Sequence, residues 1–245
     1  MTFAGFDGTG GAGTEISAQV CSKLRVPHVA VIGCVVVQNA FSVRSHLVFD
    51  SEWVNDQLAW FQAHYDIRLL NIGVLGNIEF LAAIVDRFPH CRIILDPVIT
   101  SGDGKHRFLT DREVGRLKGF LTHCHLVTPN IPEAEKITGV TIKSLSDVDS
   151  AAAVCRALGA NNVLIKGGHM TADKAVDSLY HEGNVSRFKT ALVPFRIHGT
   201  GSFLNAAVSA FLYRGRGLKA SVSQGRSLLA TAVRRCDRLH PVLRP

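Results

Sequence analysis

The sequence predicts an α/β protein built on a mostly parallel central sheet, and three observations support this fold class. The chain has 245 residues, 47% of them hydrophobic, which suits one large domain over residues 1–245, because α/β folds often reach this size undivided. Short runs of β-branched residues, such as residues 29–32, are typical of strands buried on both faces of a parallel sheet. Strand-like and helical segments alternate along the chain, which is the order that builds βαβ units.

Three strands, each followed by a helix, are predicted in the first part of the chain. The helical spacing of Ile16, Val20 and Leu24 indicates the first helix. Glu52 and Asp56 lie near the start of the second helix, where the helix dipole favours acids, and a connection rich in Ser and Val precedes it. We expect the strands at residues 2–6, 28–37 and 67–74, and the helices at 11–24, 51–64 and 77–88.

The rest of the chain continues this alternation and ends in helices. Proline cannot donate to a sheet, so Pro97 and Pro129 mark the ends of two strands. A turn at residues 182–184 predicts an antiparallel strand pair. We expect strands at 91–98, 125–128, 162–166, 176–180 and 186–193, and helices at 109–121, at 147–158 and from 201 onward. Such sheets bind ligands at the carboxyl ends of their strands, so the residues that follow each strand are the candidate site.

Charge and cysteine content narrow the function classes. The net charge is +7, and the densest basic stretch contains Arg234, Arg235, Arg238 and Arg244. Aromatic residues are not interleaved there, so a solvated helix is favoured over a nucleic-acid interface, and a phosphate-rich substrate would also suit the charge. Six scattered cysteines without C-x-x-C spacing indicate free thiols of a reducing compartment. No leader pattern or membrane-length apolar run is visible, so we expect a cytoplasmic protein without nucleic-acid or membrane partners.

Two glycine-rich turns are candidate phosphate or ligand contacts. Residues 5–13 contain five glycines, which let a ligand approach the backbone. This segment has neither P-loop nor G-x-G-x-x-G spacing, so an ordinary turn remains open. Residues 198–202 pass directly into an apolar helix, whose first N–H groups would form an anion hole. A plain helix start capped by Thr200 or Ser202 is the alternative.

Two further segments that follow strands carry an amide, an acid and a lysine. Asn130 and Glu133 could share the water ligands of Mg²⁺, and Lys166 could neutralise nucleotide phosphates. Each has a structural alternative, because Glu133 could be a helix-start acid and Lys166 a surface lysine beside a turn.

In their order along the chain, these segments resemble hydroxymethylpyrimidine/phosphomethylpyrimidine kinases of the ribokinase superfamily. The resemblance covers nearly the whole chain. The segments that carry it are residues 4–7 with 10–13, 37–39, 72–75, 95–98, 128–135, 165–169 and 198–201.

The resemblance implies a ribokinase-like three-layer α/β/α sandwich that transfers a phosphoryl group from ATP, with Mg²⁺, to a pyrimidine precursor of thiamine or to its monophosphate. It also suggests a homodimer. Gln38 would hydrogen-bond the pyrimidine, and Val74 would pack on its ring. The implied substrate-pocket residues are Gly5, Asp7 and Gly11. The resemblance implies that Asn130, Glu133 and Lys166 bind the nucleotide and that Asp96 and Glu133 hold the metal. The implied catalytic anion hole consists of Gly199, Thr200, Gly201 and Ser202.

The sequence departs from the family pattern at several positions. Ser202 stands where the family has cysteine and where related sugar kinases have an aspartate base, and Ser17 replaces an aspartate. The flap after residue 98 is short, with Lys105 as the candidate for its displaced lysine, and 240–242 departs from Gly-Pro-Val. Because a serine hydroxyl is a poor base near neutral pH, we expect the monophosphate to be the better acceptor. A pyridoxal-type kinase and a catalytically impaired ligand-binding relative remain alternatives.

Overall fold

The central element of the computed structural model is one large β-sheet. The structure describes residues 1–167, 174–191 and 197–234. Within these ranges, nine strands form the sheet. They are β1 Thr2–Asp7, β2 Ala30–Gln38, β3 Val43–Val48, β4 Leu69–Ile72, β5 Arg92–Leu95, β6 Cys124–Val127, β7 Val163–Ile165, β8 Lys174–His181 and β9 Asn184–Ala191.

The strand order is β3-β2-β1-β4-β5-β6-β7-β8-β9. All pairings from β2 through β7 are parallel, whereas β3 at one edge and β8 and β9 at the other are antiparallel. The chain leaves β1 first toward β2 and later toward β4, so the strand order reverses at β1. In open α/β sheets, a crevice for ligands forms beyond the carboxyl ends of the strands at such a reversal.

Eight α-helices of the described ranges cover the two faces of the sheet. They are α1 Gly13–Lys23, α2 Ser51–His64, α3 Glu79–Arg87, α4 Asp111–Phe120, α5 Ile131–Thr138, α6 Leu145–Ala157, α7 Thr200–Tyr213 and α8 Leu218–Arg234. Helices α1, α7 and α8 pack on one face, and α2 to α6 pack on the other. The mostly parallel sheet between two helical layers confirms the predicted three-layer fold class.

Local sequence explains where several helices begin. Asp50 accepts a hydrogen bond from the Trp53 amide at the start of α2. Helices α4, α5 and α6 each begin with a capping box, in which the cap side chain and the acid three residues later exchange hydrogen bonds. The pairs are Thr110 with Glu113, Asn130 with Glu133, and Ser144 with Asp147.

Alternate residues of the short central strands face opposite helical layers. Leu70 and Ile72 of β4 belong to the large core under α2 to α6, whereas Leu69 faces the smaller core under α7 and α8. This two-sided burial explains why the central strands read as continuous apolar runs.

The predicted elements agree with the structure in order, with two omissions. The connection expected before α2 contains strand β3, and the segment beginning at Ile131 forms α5. The strands predicted at 67–74 and 91–98 are shorter, as β4 and β5. Several parts of the predictions lie outside the described residues. These are residues 192–193 of the last predicted strand, residues 168–169 and 240–242, and the arginines at 235, 238 and 244, whereas Arg234 ends α8. No described helix combines the length and the apolar character that crossing a membrane requires.

Candidate active site

A cavity of about 480 Å³ lies beyond the carboxyl ends of the parallel strands. It is lined by predicted site residues from the ends of β1, β2, β4, β5, β6 and β7 and from the start of α7. These are Gly5, Asp7, Gln38, Val74, Asp96, Asn130, Glu133, Lys166, Gly199, Thr200, Gly201 and Ser202. Gly11 is absent from this lining, and its carbonyl oxygen instead approaches Gly199.

The turn before α7 depends on glycine at position 199. Gly199 has φ +77°, in the left-handed region that side chains disfavour, and a Cβ there would lie 1.7 Å from the carbonyl oxygen of Gly11. Gly13 makes a similar approach, because its Cβ would lie 2.1 Å from the Gly5 carbonyl oxygen. The two glycine-rich segments are therefore in direct backbone contact, although they are far apart in the sequence.

The first turn of α7 leaves its amide groups available. Gly199 is the N-cap residue, no side chain caps the helix, and the first turn contains no acid. The alternative of a helix start capped by Thr200 or Ser202 is therefore wrong. The N–H groups at the start of a helix have no partner within it, and the helix dipole adds positive potential there. Such a turn facing a cavity can hold an anion.

Asp7 holds the first glycine-rich segment in shape. Its buried carboxylate accepts hydrogen bonds from the Thr9 amide and hydroxyl and from the Ala12 amide, all at 2.9 Å. His198 also donates its Nε2 proton to Asp7 Oδ2 at 2.9 Å. Burial alone would raise the pKa of Asp7, but the hydrogen bonds from His198 and Thr9 outweigh it and lower that pKa to about 2. Asp7 thus positions the backbone of both segments, and these contacts occupy both of its oxygens.

Lys166 brings a positive charge to the same turn. Its Nζ atom donates to Asp96 Oδ1 at 2.7 Å, and the two side chains are only 15% and 7% exposed. A Cβ on Gly201 would lie 3.4 Å from Lys166 Nζ, so the ammonium group adjoins the helix start. Burial opposes the charge of Lys166, but the carboxylates of Asp96 and Glu133 outweigh it and raise the lysine's pKa. Lys166 therefore stays protonated and can neutralise phosphate oxygens.

Glu133 has a structural task besides any metal contact. Its Oε2 accepts from the Asn130 amide at 2.8 Å, while Asn130 Oδ1 accepts from the Glu133 amide at 2.9 Å. The structure therefore confirms that Glu133 acts as a helix-start acid. Burial raises the pKa of Glu133, and the charge of Lys166 opposes that rise. Because burial disfavours the charged form of Glu133, a cation close to its carboxylate stabilises that form.

The site can contribute two carboxylates to a hydrated Mg²⁺. Asp96 and Glu133 both line the cavity and both interact with Lys166. Within the described ranges, no cluster of three or more His, Cys, Asp or Glu side chains could hold a metal by itself. Mg²⁺ in nucleotide sites is usually bound by one or two carboxylates together with water and phosphate oxygens. This donor set therefore fits Mg²⁺ delivered with a nucleotide.

An apolar slot forms the other part of the cavity. Val36 and Phe108 are buried in a small cluster against which Val74 and Val98 pack. Gln38 follows this cluster at the end of β2, and its side chain lacks a hydrogen-bond partner among the described residues. Apolar walls with one free amide suit a flat ring that carries both donors and acceptors.

The flap over this slot is attached to the edge strand β3. His46 Nδ1 and His106 Nε2 lie 2.7 Å apart, and both rings contact Phe108. Lys105 is exposed and does not line the cavity. Ser17 is buried and donates to the Gly13 carbonyl oxygen at 2.9 Å, inside α1.

Two positioning contacts were not expected from the sequence. One is the contact between Asp7 and His198; the second is a hydrogen bond of 2.8 Å from Asn205 Nδ2 to Thr128 Oγ1. Together they hold the start of α7 against the ends of β1 and β6. The only sequence signal was that polar Asn205 and Thr128 stand within apolar segments.

Known proteins resemble this chain over nearly its whole length. The family model described as phosphomethylpyrimidine kinase matches residues 7–242. Hydroxymethylpyrimidine/phosphomethylpyrimidine kinase of Aquifex aeolicus is 32% identical over 98% of this chain and 95% of its own length. The Bacillus subtilis protein of the same name is 32% identical over 95% of this chain and 88% of its own length.

Solved structures share the fold. Phosphomethylpyrimidine kinase of Clostridium difficile superposes with a TM-score of 0.82 and 26% identity, covering 95% of this chain and 97% of that one. Pyridoxal kinase of Staphylococcus aureus, in complex with pyridoxal, gives a TM-score of 0.88 at 23% identity over 99% of this chain and 91% of that one. From the match over residues 7–242 and the relatives at 32% identity, it follows that this chain belongs to the phosphomethylpyrimidine kinase family.

Proposed function

We propose that this protein is an ATP-dependent kinase that phosphorylates 4-amino-5-hydroxymethyl-2-methylpyrimidine, its monophosphate, or both, in thiamine biosynthesis. The observation that carries the proposal is a single cavity that joins an uncapped helix start beside Lys166 to an apolar slot ending in Gln38. The names of the relatives support the same activity. A solved complex of Staphylococcus aureus pyridoxal kinase with the ATP analogue AMP-PCP, which shares the fold, supports ATP as the donor.

The proposed reaction needs positioning and charge stabilisation more than covalent help from the protein. An oxygen of the acceptor attacks the γ-phosphorus of ATP, and the bond from that phosphorus to the β–γ bridging oxygen breaks. ADP leaves with the electron pair. The amides of Thr200, Gly201 and Ser202 would donate to the oxygens of the moving phosphoryl group, and Lys166 would balance the negative charge. Gln38 and Val74 would hold the pyrimidine ring so that its substituent points at this turn.

Asp96 and Glu133 would hold Mg²⁺ in this proposal. When bound, the ion neutralises charge on the phosphate oxygens of the nucleotide. The proposal assigns Asn130 to the water and phosphate ligands around it. The capping box of Asn130 and Glu133 fixes both side chains before any ligand arrives.

Ser202 sets the proposed acceptor preference. Attack by an alcohol releases a proton, and a serine hydroxyl is a poor acceptor for it near neutral pH. A phosphate monoester has a second pKa of about 6, so its attacking oxygen is already deprotonated. We therefore expect faster turnover of the monophosphate than of the alcohol.

Steady-state rates with ATP, Mg²⁺ and each acceptor test this preference, with products identified by mass spectrometry. Ser202→Ala should leave turnover of the monophosphate within about threefold, because no proton transfer at Ser202 is needed for that step. Faster turnover of the alcohol than of the monophosphate would refute the preference.

The same assay separates the alternatives. The B6 vitamers belong in the acceptor panel because S. aureus pyridoxal kinase has the same fold at a TM-score of 0.88. Higher kcat/KM on pyridoxal than on either pyrimidine would identify a pyridoxal-type kinase. Absence of any phosphorylated product, with pyrimidine binding retained, would identify a ligand-binding relative.

The assembly and compartment are also proposals. A homodimer is supported by the edge strand β3 and its neighbouring turn, where Phe41 is 72% and Leu47 is 66% exposed. A cytoplasmic location is supported by free cysteines, several of them buried. Light scattering coupled to gel filtration tests the first proposal, and fractionation of cells that produce the protein tests the second.

A further inference from the structure

A second cavity, of about 270 Å³, lies near the amino ends of β1 and β4. Its walls come from these strands, from the connections that precede β2 and β4, from α1 and from the last two turns of α7. Helix α7 rises about 1.5 Å per residue, so Ser209 lies roughly 14 Å along the axis from Thr200. The cavity is therefore separate from the candidate active site.

Polar groups without partners line this cavity. Asn71 is only 6% exposed, and no described residue bonds its side-chain amide. Ser209 is also 6% exposed, and its hydroxyl has no hydrogen-bond partner. Apolar residues of the same lining, Leu69 and Ala210, are close to them in the sequence. Buried polar groups normally find partners, and each one that lacks a partner costs stability.

The remaining walls combine aromatic rings with balanced charge. Tyr213 supplies a ring at one end of the cavity. His28 bonds the Thr2 hydroxyl at 3.0 Å, and burial lowers the pKa of His28 to about 4, so its ring is neutral near pH 7. At the rim, Arg68 pairs with Asp66. The Met1 amino group also lines the cavity, where it donates to the Leu69 carbonyl oxygen at 2.9 Å and burial lowers its pKa. The lining thus offers hydrogen bonds and ring contacts, and its charged side chains Arg68 and Asp66 pair with each other.

We propose that this cavity is a binding site for a neutral, planar, single-ring molecule that carries a carboxamide or a similar donor–acceptor edge. Such an edge matches the Asn71 side chain, which can donate and accept at once. A volume of about 270 Å³ accommodates one substituted ring, and it is at the lower limit of ligand pockets. The site is independent of the proposed kinase reaction.

Nicotinamide is a suitable probe, because it is a neutral ring with one carboxamide. The full-length protein, labelled with ¹⁵N, is titrated to about 10 mM nicotinamide, and amide shifts are followed at Ser209 and Ala210 and, for the active site, at Gly199 and Gly201. Nicotinate, which is charged but has the same shape, is titrated in parallel. We expect saturable shifts at Ser209 and Ala210 with nicotinamide, and at least tenfold weaker binding of nicotinate.

Asn71→Leu keeps the approximate volume and removes the amide. It should weaken nicotinamide binding by roughly tenfold, the effect of losing a good buried hydrogen bond. The matched control is Asn55→Leu, on α2 and outside both cavities, which should leave the affinity within about twofold. Thermal unfolding checks the fold, and Asn71→Leu should be at least as stable as the wild type because it removes an unpaired buried amide.

Three results would overturn the proposal. One is the absence of shifts at Ser209 and Ala210 up to 10 mM, which would mean a cavity that holds water only. Another is shifts confined to Gly199 and Gly201, which would assign the probe to the active site. The third is an affinity that Asn71→Leu leaves unchanged.

Discussion

Gly199→Ala tests whether the contact between the two glycine-rich segments forms the phosphate site. The new methyl group meets two obstacles. The φ of +77° costs about 1 kcal/mol for a residue with a side chain. The Cβ would also lie 1.7 Å from the Gly11 carbonyl oxygen, whereas real Cβ contacts are at least 3.0 Å, so the segments must separate by more than 1 Å. A displacement of about 1 Å at a reacting site can cost roughly 100-fold in rate.

Gly215→Ala is the matched control for this substitution. Gly215 follows the other end of α7, has φ +79°, and has open space where the methyl group would go. It therefore carries the backbone penalty of about 1 kcal/mol without the steric overlap. We expect kcat/KM for ATP to fall about 100-fold in Gly199→Ala and to stay within twofold of wild type in Gly215→Ala.

The assay is a coupled measurement of ADP release at saturating acceptor, with denaturant unfolding of both variants at the same temperature. Gly199→Ala should lose more stability than Gly215→Ala, since only the former has to move the backbone. If Gly199→Ala kept kcat/KM within threefold of wild type, the turn would not hold the transferring phosphate in the geometry described.

Three further substitutions test other parts of the site. Gln38→Ala should raise KM for the pyrimidine at least tenfold and leave KM for ATP within twofold, as steady-state kinetics would show; equal effects on both would contradict its assignment to the ring. Lys166→Met should lower kcat/KM for ATP about 100-fold and destabilise the fold, because Asp96 and Glu133 lose their cation; unchanged nucleotide affinity by calorimetry would argue against it. Asp7, with a pKa of about 2 when folded against 3.8 when unfolded, should contribute about 2 kcal/mol above pH 4, lost as the pH falls toward 2. Denaturant unfolding of wild type and Asp7→Asn from pH 6 to 2.5 checks this, and parallel pH profiles would disprove it.

Much of the site could be predicted because the ends of parallel strands meet at one edge of the sheet. Gln38, Asp96 and Lys166 each follow or end a strand that the sequence marked by apolar runs and by proline or glycine. The Asn130 and Glu133 pair also had a readable signal, since an amide followed three residues later by glutamate is the pattern of a capping box. The helix that this pair caps, α5, was nevertheless not among the predicted helices.

The contacts that the sequence did not predict depend on tertiary structure. Asp7 and His198 are 191 positions apart, and no local pattern pairs them. Strand β3 was missed because its Arg44, Ser45 and His46 read as a polar connection. That strand lies at the edge of the sheet with one side exposed, where polar residues are accepted, so its pairing with β2 determines its conformation.

The packing of the two glycine-rich segments explains why the departures from the family pattern leave the backbone of the site in place. Ser17 replaces an aspartate, yet its hydroxyl bonds back to Gly13 inside α1 and does not face the cavity. The carboxylate that holds the segments together is Asp7, through Ala12 and His198. Of the substituted positions that the structure describes, Ser202 lines the cavity, whereas Ser17 and Lys105 do not. The substitutions therefore alter which group can accept a proton, while the amides that would bind phosphate keep their geometry, and any functional change should be found in acceptor choice.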